Sequence, residues 1–234
     1  MTSSVAVADT ATARGDTPWA VLLDLDGTLV DTEDLWWAAE AEVFGALGHV
    51  LDEAHRAVVV GGPMARSVGH LIEATGVKAG LSELSAAVNG AFERLLERAG
   101  APLMPGARRL LGELTGHGVP TALVSASHRR TVDAMLRTLG REHFSFTLAG
   151  DEVARTKPHP DPYLLAAARL GADPARCVVV EDTATGVASA EAAGCQVVAV
   201  PSVVPIPPAP GRTVVRSLEE LSVPFLRAVN TPLH

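Results

Sequence analysis

Ala20-Val21-Leu22-Leu23-Asp24-Leu25-Asp26-Gly27-Thr28-Leu29-Val30-Asp31-Thr32 carries an unbroken apolar run into two carboxylates and a glycine turn. Strands buried on both faces of a parallel sheet are near-continuous apolar runs, and the first four residues read as one. Asp24 and Asp26 then fall at its C-terminal edge, where burying a carboxylate is costly unless a cation or hydrogen bonds compensate. Side chains alternate along a strand, so the two acids can share a face. That arrangement suits a nucleophile and an acid/base group with a divalent metal beside them. The plainer alternative is a strand that ends in an Asp-Gly turn.

Three distant segments favour the first reading. The apolar run at residues 119–124 ends in Ser125, ahead of a helical pattern that begins near His128. A hydroxyl there either binds a phosphate oxygen or caps the helix, and Ser127 is the better cap of the two serines. Thr156-Lys157-Pro158-His159-Pro160-Asp161-Pro162-Tyr163 sets a lysine in a proline-rich turn before another helical pattern, and His159 has no partner histidine at metal-ligand spacing. Val178-Val179-Val180-Glu181-Asp182-Thr183-Ala184-Thr185-Gly186-Val187 repeats the opening theme of strand, two acids, glycine and helix. Each of these acids can serve as a metal ligand or as a helix cap.

Taken in order, Asp-x-Asp-Gly-Thr, the strand-end serine, Lys-Pro-x-Pro-Asp-Pro and Glu-Asp-x-x-x-Gly-Val resemble the four motifs of the haloacid dehalogenase-like superfamily of phosphatases and phosphomutases, across residues 19–221. The resemblance implies that Asp24 is a nucleophile forming an aspartyl-phosphate. Asp26 would be the acid/base group, offering its backbone carbonyl to the metal as well. Ser125 and Lys157 would complete the catalytic set, with Lys157 balancing Asp24 and the phosphate. Thr28 joins Ser125 and Lys157 as a substrate-binding candidate, and its hydroxyl is expected to orient the Asp26 side chain. The metal set is Asp24, Asp26, Asp182 and, through water, Glu181. Mg²⁺ is the expected cofactor, because it is a hard cation that prefers oxygen ligands and retains waters.

The 234 residues, 47% of them hydrophobic, suffice for one substantial domain and a smaller insert. A net charge of -8 with no basic cluster argues against a nucleic-acid partner. No apolar stretch approaches the length that crosses a bilayer, and residues 1–17 lack the basic start and apolar centre of a secretory signal. That end reads as a flexible tail. Cys177 and Cys195 each adjoin an apolar strand and read as reduced packing residues. The expectation is a cytoplasmic monomer with no membrane partner.

Apolar runs at residues 21–23, 119–124, 144–148, 178–180 and 197–200 alternate with helical patterns. The alternation predicts an α/β fold: a Rossmann-like parallel sheet core with helices on both faces, built from residues 18–32 and 104–234. Between them, residues 33–103 carry amphipathic patterns at 35–47, 65–74 and 81–99 without a strand, and read as an inserted all-helical cap. Asp31-Thr32-Glu33 offers the outgoing hinge, and Gly100, Pro105 and Gly106 the returning one. Residues 201–210 hold too many prolines for a central strand and should form a loop or edge connector.

A helical lid over the carboxyl edge of the sheet favours small substrates over folded macromolecules. The expected activity is therefore Mg²⁺-dependent hydrolysis of a small phosphorylated metabolite, with a sugar or polyol phosphate the first choice. Within the superfamily the chain resembles the β-phosphoglucomutase and sugar-phosphate phosphatase group. A phosphomutase is the first alternative, but that branch carries a histidine four residues after the position of Thr32, where this chain has Trp36. The dehalogenase branch needs neither Asp26 nor the metal acids. A catalytically silent binding protein is the alternative from another class. Gly61-Gly62-Pro63-Met64-Ala65-Arg66 is expected to face the site, with Arg66 either touching a second anionic or hydroxyl group or lying on the surface.

Overall fold

The computed structural model describes residues 19–60 and 64–230; the expected tail at 1–17 and Gly61-Gly62-Pro63 lie outside the described residues. Six strands, β1 (Ala20–Leu23), β2 (Thr121–Val124), β3 (Phe146–Leu148), β4 (Cys177–Glu181), β5 (Gln196–Ala199) and β6 (Arg212–Val214), form one sheet in the order β3-β2-β1-β4-β5-β6. Every pairing is parallel. Val21 is in register with Thr121 on one side and Val178 on the other. The chain builds outward from β1 to β3, then returns to build from β4 to β6. The strand order therefore reverses between β1 and β4, and open α/β sheets bind ligands in the crevice outside such a switch point.

Four helices follow β1 with no strand among the described residues between them: α1 (Glu33–Ala46), α2 (Glu53–Val59), α3 (Met64–Thr75) and α4 (Leu81–Ala99). The buried faces of α1 and α4 meet along their length, and the Trp36 indole stacks on Phe92 with ring centroids 3.7 Å apart and planes 8° from parallel. The short α2 was not anticipated. Asp52 caps it by accepting from the Ala54 and His55 amides, and the His55 ring reaches back to the Asp52 amide. A capping box normally carries Glu or Gln at that third position, so histidine hid the signal.

The connections into and out of this helical segment run side by side. Asp31 N–H donates to Pro102 O at 2.8 Å and Met104 N–H to Leu29 O at 2.9 Å, and Val30 bridges Leu103 in antiparallel fashion.

The remaining helices cover the sheet. Val21 and Leu23 pack in one apolar cluster with Leu123, Val178, Val180 and Val198, against residues of α5 (Ala107–Gly116), α6 (Arg129–Leu139) and α9 (Val223–Val229). Ala20 and Leu22 pack in the opposite cluster with Ala122, Val124, Val179 and Ala199, against α7 (Asp161–Leu170) and α8 (Ala184–Ala192). This odd–even split is the strand period expressed as two cores. Cys177 and Cys195 are free thiols in the second cluster. Residues 201–210 contain no named strand and lead into β6, a short edge strand with partly exposed residues.

Candidate active site

The carboxyl ends of β1, β2 and β4 bring together side chains from four separated segments. Asp24 follows β1 directly, its amide bonded to Val180 O. Glu181 closes β4, and the Lys157 loop leads into α7 beside them. Lys157 is buried, and its ammonium uses all three protons. It donates to Asp24 Oδ1 at 2.5 Å, Glu181 Oε1 at 2.7 Å and Val124 O at 2.9 Å. Burial alone would pull this amine down, but Asp24 and then Glu181 outweigh it and hold Lys157 well above its ordinary value. It is a fixed cation.

Glu181 is saturated by protein donors. Tyr163, fully buried on α7, donates its hydroxyl to Oε1 at 2.9 Å, while Oε2 accepts from the Asp182 amide and from the amide and hydroxyl of Thr183. Tyr163, the last residue of the lysine motif, thus joins the ion cluster, with Lys157 Nζ 5.0 Å from its ring centroid. Glu181 also lies where α8 passes close: a Cβ on Gly186 would stand 1.7 Å from Oε1 and 1.9 Å from Cδ. Gly186→Ala must therefore displace the carboxylate and disturb its hold on Lys157. It is expected to lower stability by about 1–3 kcal/mol, as overpacking does, and to lower turnover as well. Thermal melting and initial rates measured on one preparation check this, and a variant matching the parent in both would show that Glu181 can shift freely.

Asp182 accepts from Ser202 Oγ at 2.6 Å and from Thr28 Oγ1 at 3.2 Å. Burial, then Glu181, push its carboxyl up to about 7 against those two hydrogen bonds. Gly27 makes room for it. Its φ is +78°, and an added Cβ would fall 2.1 Å from Asp182 Oδ2, so both conformation and space demand glycine.

Two expectations change here. Thr28 bonds Asp182 rather than Asp26, because its hydroxyl points along the turn toward β4. Ser127 is not the helix cap: His128 takes that position, and Ser127 Oγ instead donates to Asp26 Oδ2 at 2.8 Å. Ser125 Oγ accepts from the Ser127 amide at 2.9 Å and lies 3.4 Å from the same Asp26 oxygen. Asp26 Oδ1 is buried with no hydrogen-bond partner. Burial raises the Asp26 carboxyl despite the bonds from Ser127 and Ser125, which favours a held proton.

Asp24, Glu181 and Asp182 offer oxygens that all lie within 4.8 Å of one another. Burial, opposed by Lys157 and reinforced by the other two acids, raises Asp24 well above the ordinary carboxylate range. Three carboxylates facing one ammonium leave two negative charges uncompensated when all are ionised, the charge of one divalent cation. The donor set is all oxygen, so these residues fit a hard divalent ion. Arg66 lies exposed on α3 and makes no ion pair among the described residues, whereas His159 is an exposed turn residue. One further acid stands out within the helical segment. Glu40 on α1 is 5% exposed, and no hydrogen bond reaches it among the described residues.

A family model described as haloacid dehalogenase-like hydrolase matches residues 20–194. Hexitol phosphatase A of Escherichia coli (strain K12) is 36% identical over 187 residues, spanning 76% of this chain and 81% of that protein. The bifunctional riboflavin kinase/FMN phosphatase of Arabidopsis thaliana is 34% identical over 184 residues, or 78% of this chain, which spans only 48% of that longer protein. Among solved structures, CbbY from Rhodobacter sphaeroides in complex with phosphate superposes with a TM-score of 0.74 at 28% identity, covering 90% of this chain and 99% of that one.

Proposed function

Because the chain belongs to the haloacid dehalogenase-like hydrolases, we propose that it hydrolyses the phosphate monoester of a small sugar or polyol, with residues 33–103 as a cap over the site. The observation that carries this reading is the buried Asp24–Lys157 pair, flanked by a raised, half-free Asp26 and a second pair of acids. Lys157 engages Asp24 Oδ1 and, against the burial that raises this carboxyl, favours its ionised form, leaving Oδ2 to attack phosphorus. The phosphoryl–oxygen bond of the ester breaks as the aspartyl-phosphate forms, and Asp26 gives its proton from Oδ1 to the departing alkoxide. Ser127 holds the other Asp26 oxygen, so Oδ1 is the one presented. Asp26, now a base, takes a proton from water, whose oxygen attacks the aspartyl-phosphate and releases inorganic phosphate and free Asp24. Ser125 and the amides beside it bind the phosphoryl oxygens. Asp24, Asp182, Glu181 and the Asp26 carbonyl would hold Mg²⁺, whose positive charge would stabilise the transferring group.

The names of similar proteins support the substrate class, since hexitol phosphatase A acts on a polyol phosphate by name. Trp36 occupies the place where the mutase resemblance expects histidine, and its ring is committed to the stack on Phe92. No helix among the described residues is long and apolar enough to cross a membrane.

The test is a phosphate-release assay on the full chain with Mg²⁺, using p-nitrophenyl phosphate, sorbitol 6-phosphate and glucose 6-phosphate. Phosphate equal to the alcohol released is expected, falling to background in EDTA. β-Glucose 1-phosphate with a trace of glucose 1,6-bisphosphate should give little glucose 6-phosphate. Rapid isomerisation without phosphate release would instead establish a mutase, and inertness toward every ester would establish a binding protein.

A further inference from the structure

Glu40 is a buried acid for which the hydrolytic steps have no use. It lies 5% exposed on α1 and is the one buried ionisable side chain among the described residues of the helical segment, where Ser67 is the other buried polar residue. An ionised carboxylate without a partner in such surroundings costs several kcal/mol, and apolar residues occupy the neighbouring buried positions Ala39 and Phe44. Burial, then the charge of Glu33, push it up to about 7 from 4.5, so near neutrality it can both donate and accept a hydrogen bond.

Its position on α1 ties it to the site. At about 100° per residue, Thr32, Glu33, Trp36 and Glu40 fall within about 100° of arc, forming one stripe. The lower end of the stripe lies next to the catalytic turn, since Thr32 comes two residues after Val30, which bridges Asp26. Glu40 is about 12 Å farther along the axis. The carbon chain of a sugar or polyol monophosphate, extended from Asp24 and met by the glutamate side chain, covers that span. The indole of Trp36, fixed by its stack on Phe92, lies between the two ends as an apolar wall.

We propose that Glu40 is the specificity-determining residue of the cap, hydrogen-bonding a hydroxyl of the substrate remote from the phosphate. This rests on the phosphatase reading and names what that site selects: a polyhydroxylated chain rather than an aryl or simple alkyl ester. A site built around a buried polar group rejects substrates that leave it unpaired, and the same group weakens the free protein.

The experiment measures kcat/KM for sorbitol 6-phosphate, glucose 6-phosphate and p-nitrophenyl phosphate in the parent, Glu40→Gln and Glu40→Leu, along with each melting temperature. The preference for the better hydroxylated ester over the aryl ester should fall about 10–100-fold in Glu40→Leu and less in Glu40→Gln, which keeps a donor and an acceptor. Glu40→Leu should also melt higher than the parent. A higher melting temperature with an unaltered preference would make Glu40 a tolerated buried acid and overturn the proposal, as would an equal loss on all three esters. A parent that hydrolyses only the aryl ester overturns it too, while leaving the phosphatase reading standing. A parent inert toward all three overturns that reading first.

Discussion

Asp24→Asn is expected to lower turnover of every phosphate ester by at least about 10⁴-fold, the scale on which removal of a covalent nucleophile is felt. The substitution keeps side-chain volume, and Lys157 retains Glu181 and Val124 O as acceptors. Removing one of three crowded carboxylates also relieves repulsion, so the melting temperature should stay close to that of the parent. Single-turnover phosphate release, with mass spectrometry of the quenched protein, checks both halves: neither product nor a phosphorylated chain should accumulate. Mg²⁺-dependent release at the parental rate would remove Asp24 from the nucleophile's place.

Lys157→Met should damage stability and activity together. The ammonium is the only cation that the described geometry places against Asp24 and Glu181, and losing it leaves buried acids facing one another and Val124 O without its donor. Breaking a buried pair from one side typically costs about 3–5 kcal/mol. In a chain of this size that is roughly 10 °C or more of melting temperature. Turnover should fall to near background, because Asp24 then resists ionisation. Added Mg²⁺ should restore part of the lost melting temperature through binding to the folded form. Melting curves with and without the metal test this, and an unchanged curve in EDTA would show that the lysine does not hold the sheet edge together.

The sheet was legible because each central strand is a compact apolar run, and the acids that end β1 and β4 break those runs abruptly. β6 escaped because a partly exposed edge strand need not be apolar, and Arg212-Thr213-Val214 is too short to show alternation. The ion cluster could be named from sequence, but its wiring could not. Which oxygen Thr28 meets, and whether Ser127 caps a helix or turns inward, depends on loop paths that no periodicity encodes. Glu40 did leave a trace, since the helical repeat places it with Trp36 on the buried stripe. An acid there reads as an imperfection of the pattern until it is seen to have no hydrogen bond among the described residues. Tyr163 stands in the lysine motif with no sign of its partner, and its hydroxyl contact with Glu181 emerges only when α7 is laid beside β4.

The paired crossings at residues 29–31 and 102–104 make the route into the cap a ribbon rather than two separate tethers. A two-stranded ribbon flexes readily across its flat face and resists shear and twist, because those movements slide its hydrogen bonds out of alignment. For residues 33–103 acting as the proposed cap, such a ribbon favours rocking along one arc over swivelling. A rocking stroke would return the α1 stripe, from Thr32 outward to Glu40, to one alignment with the end of β1. Selectivity set by a single remote acid depends on that repeatability, since a lid free to swivel would blur the distance between the reacting phosphorus and the hydroxyl being recognised.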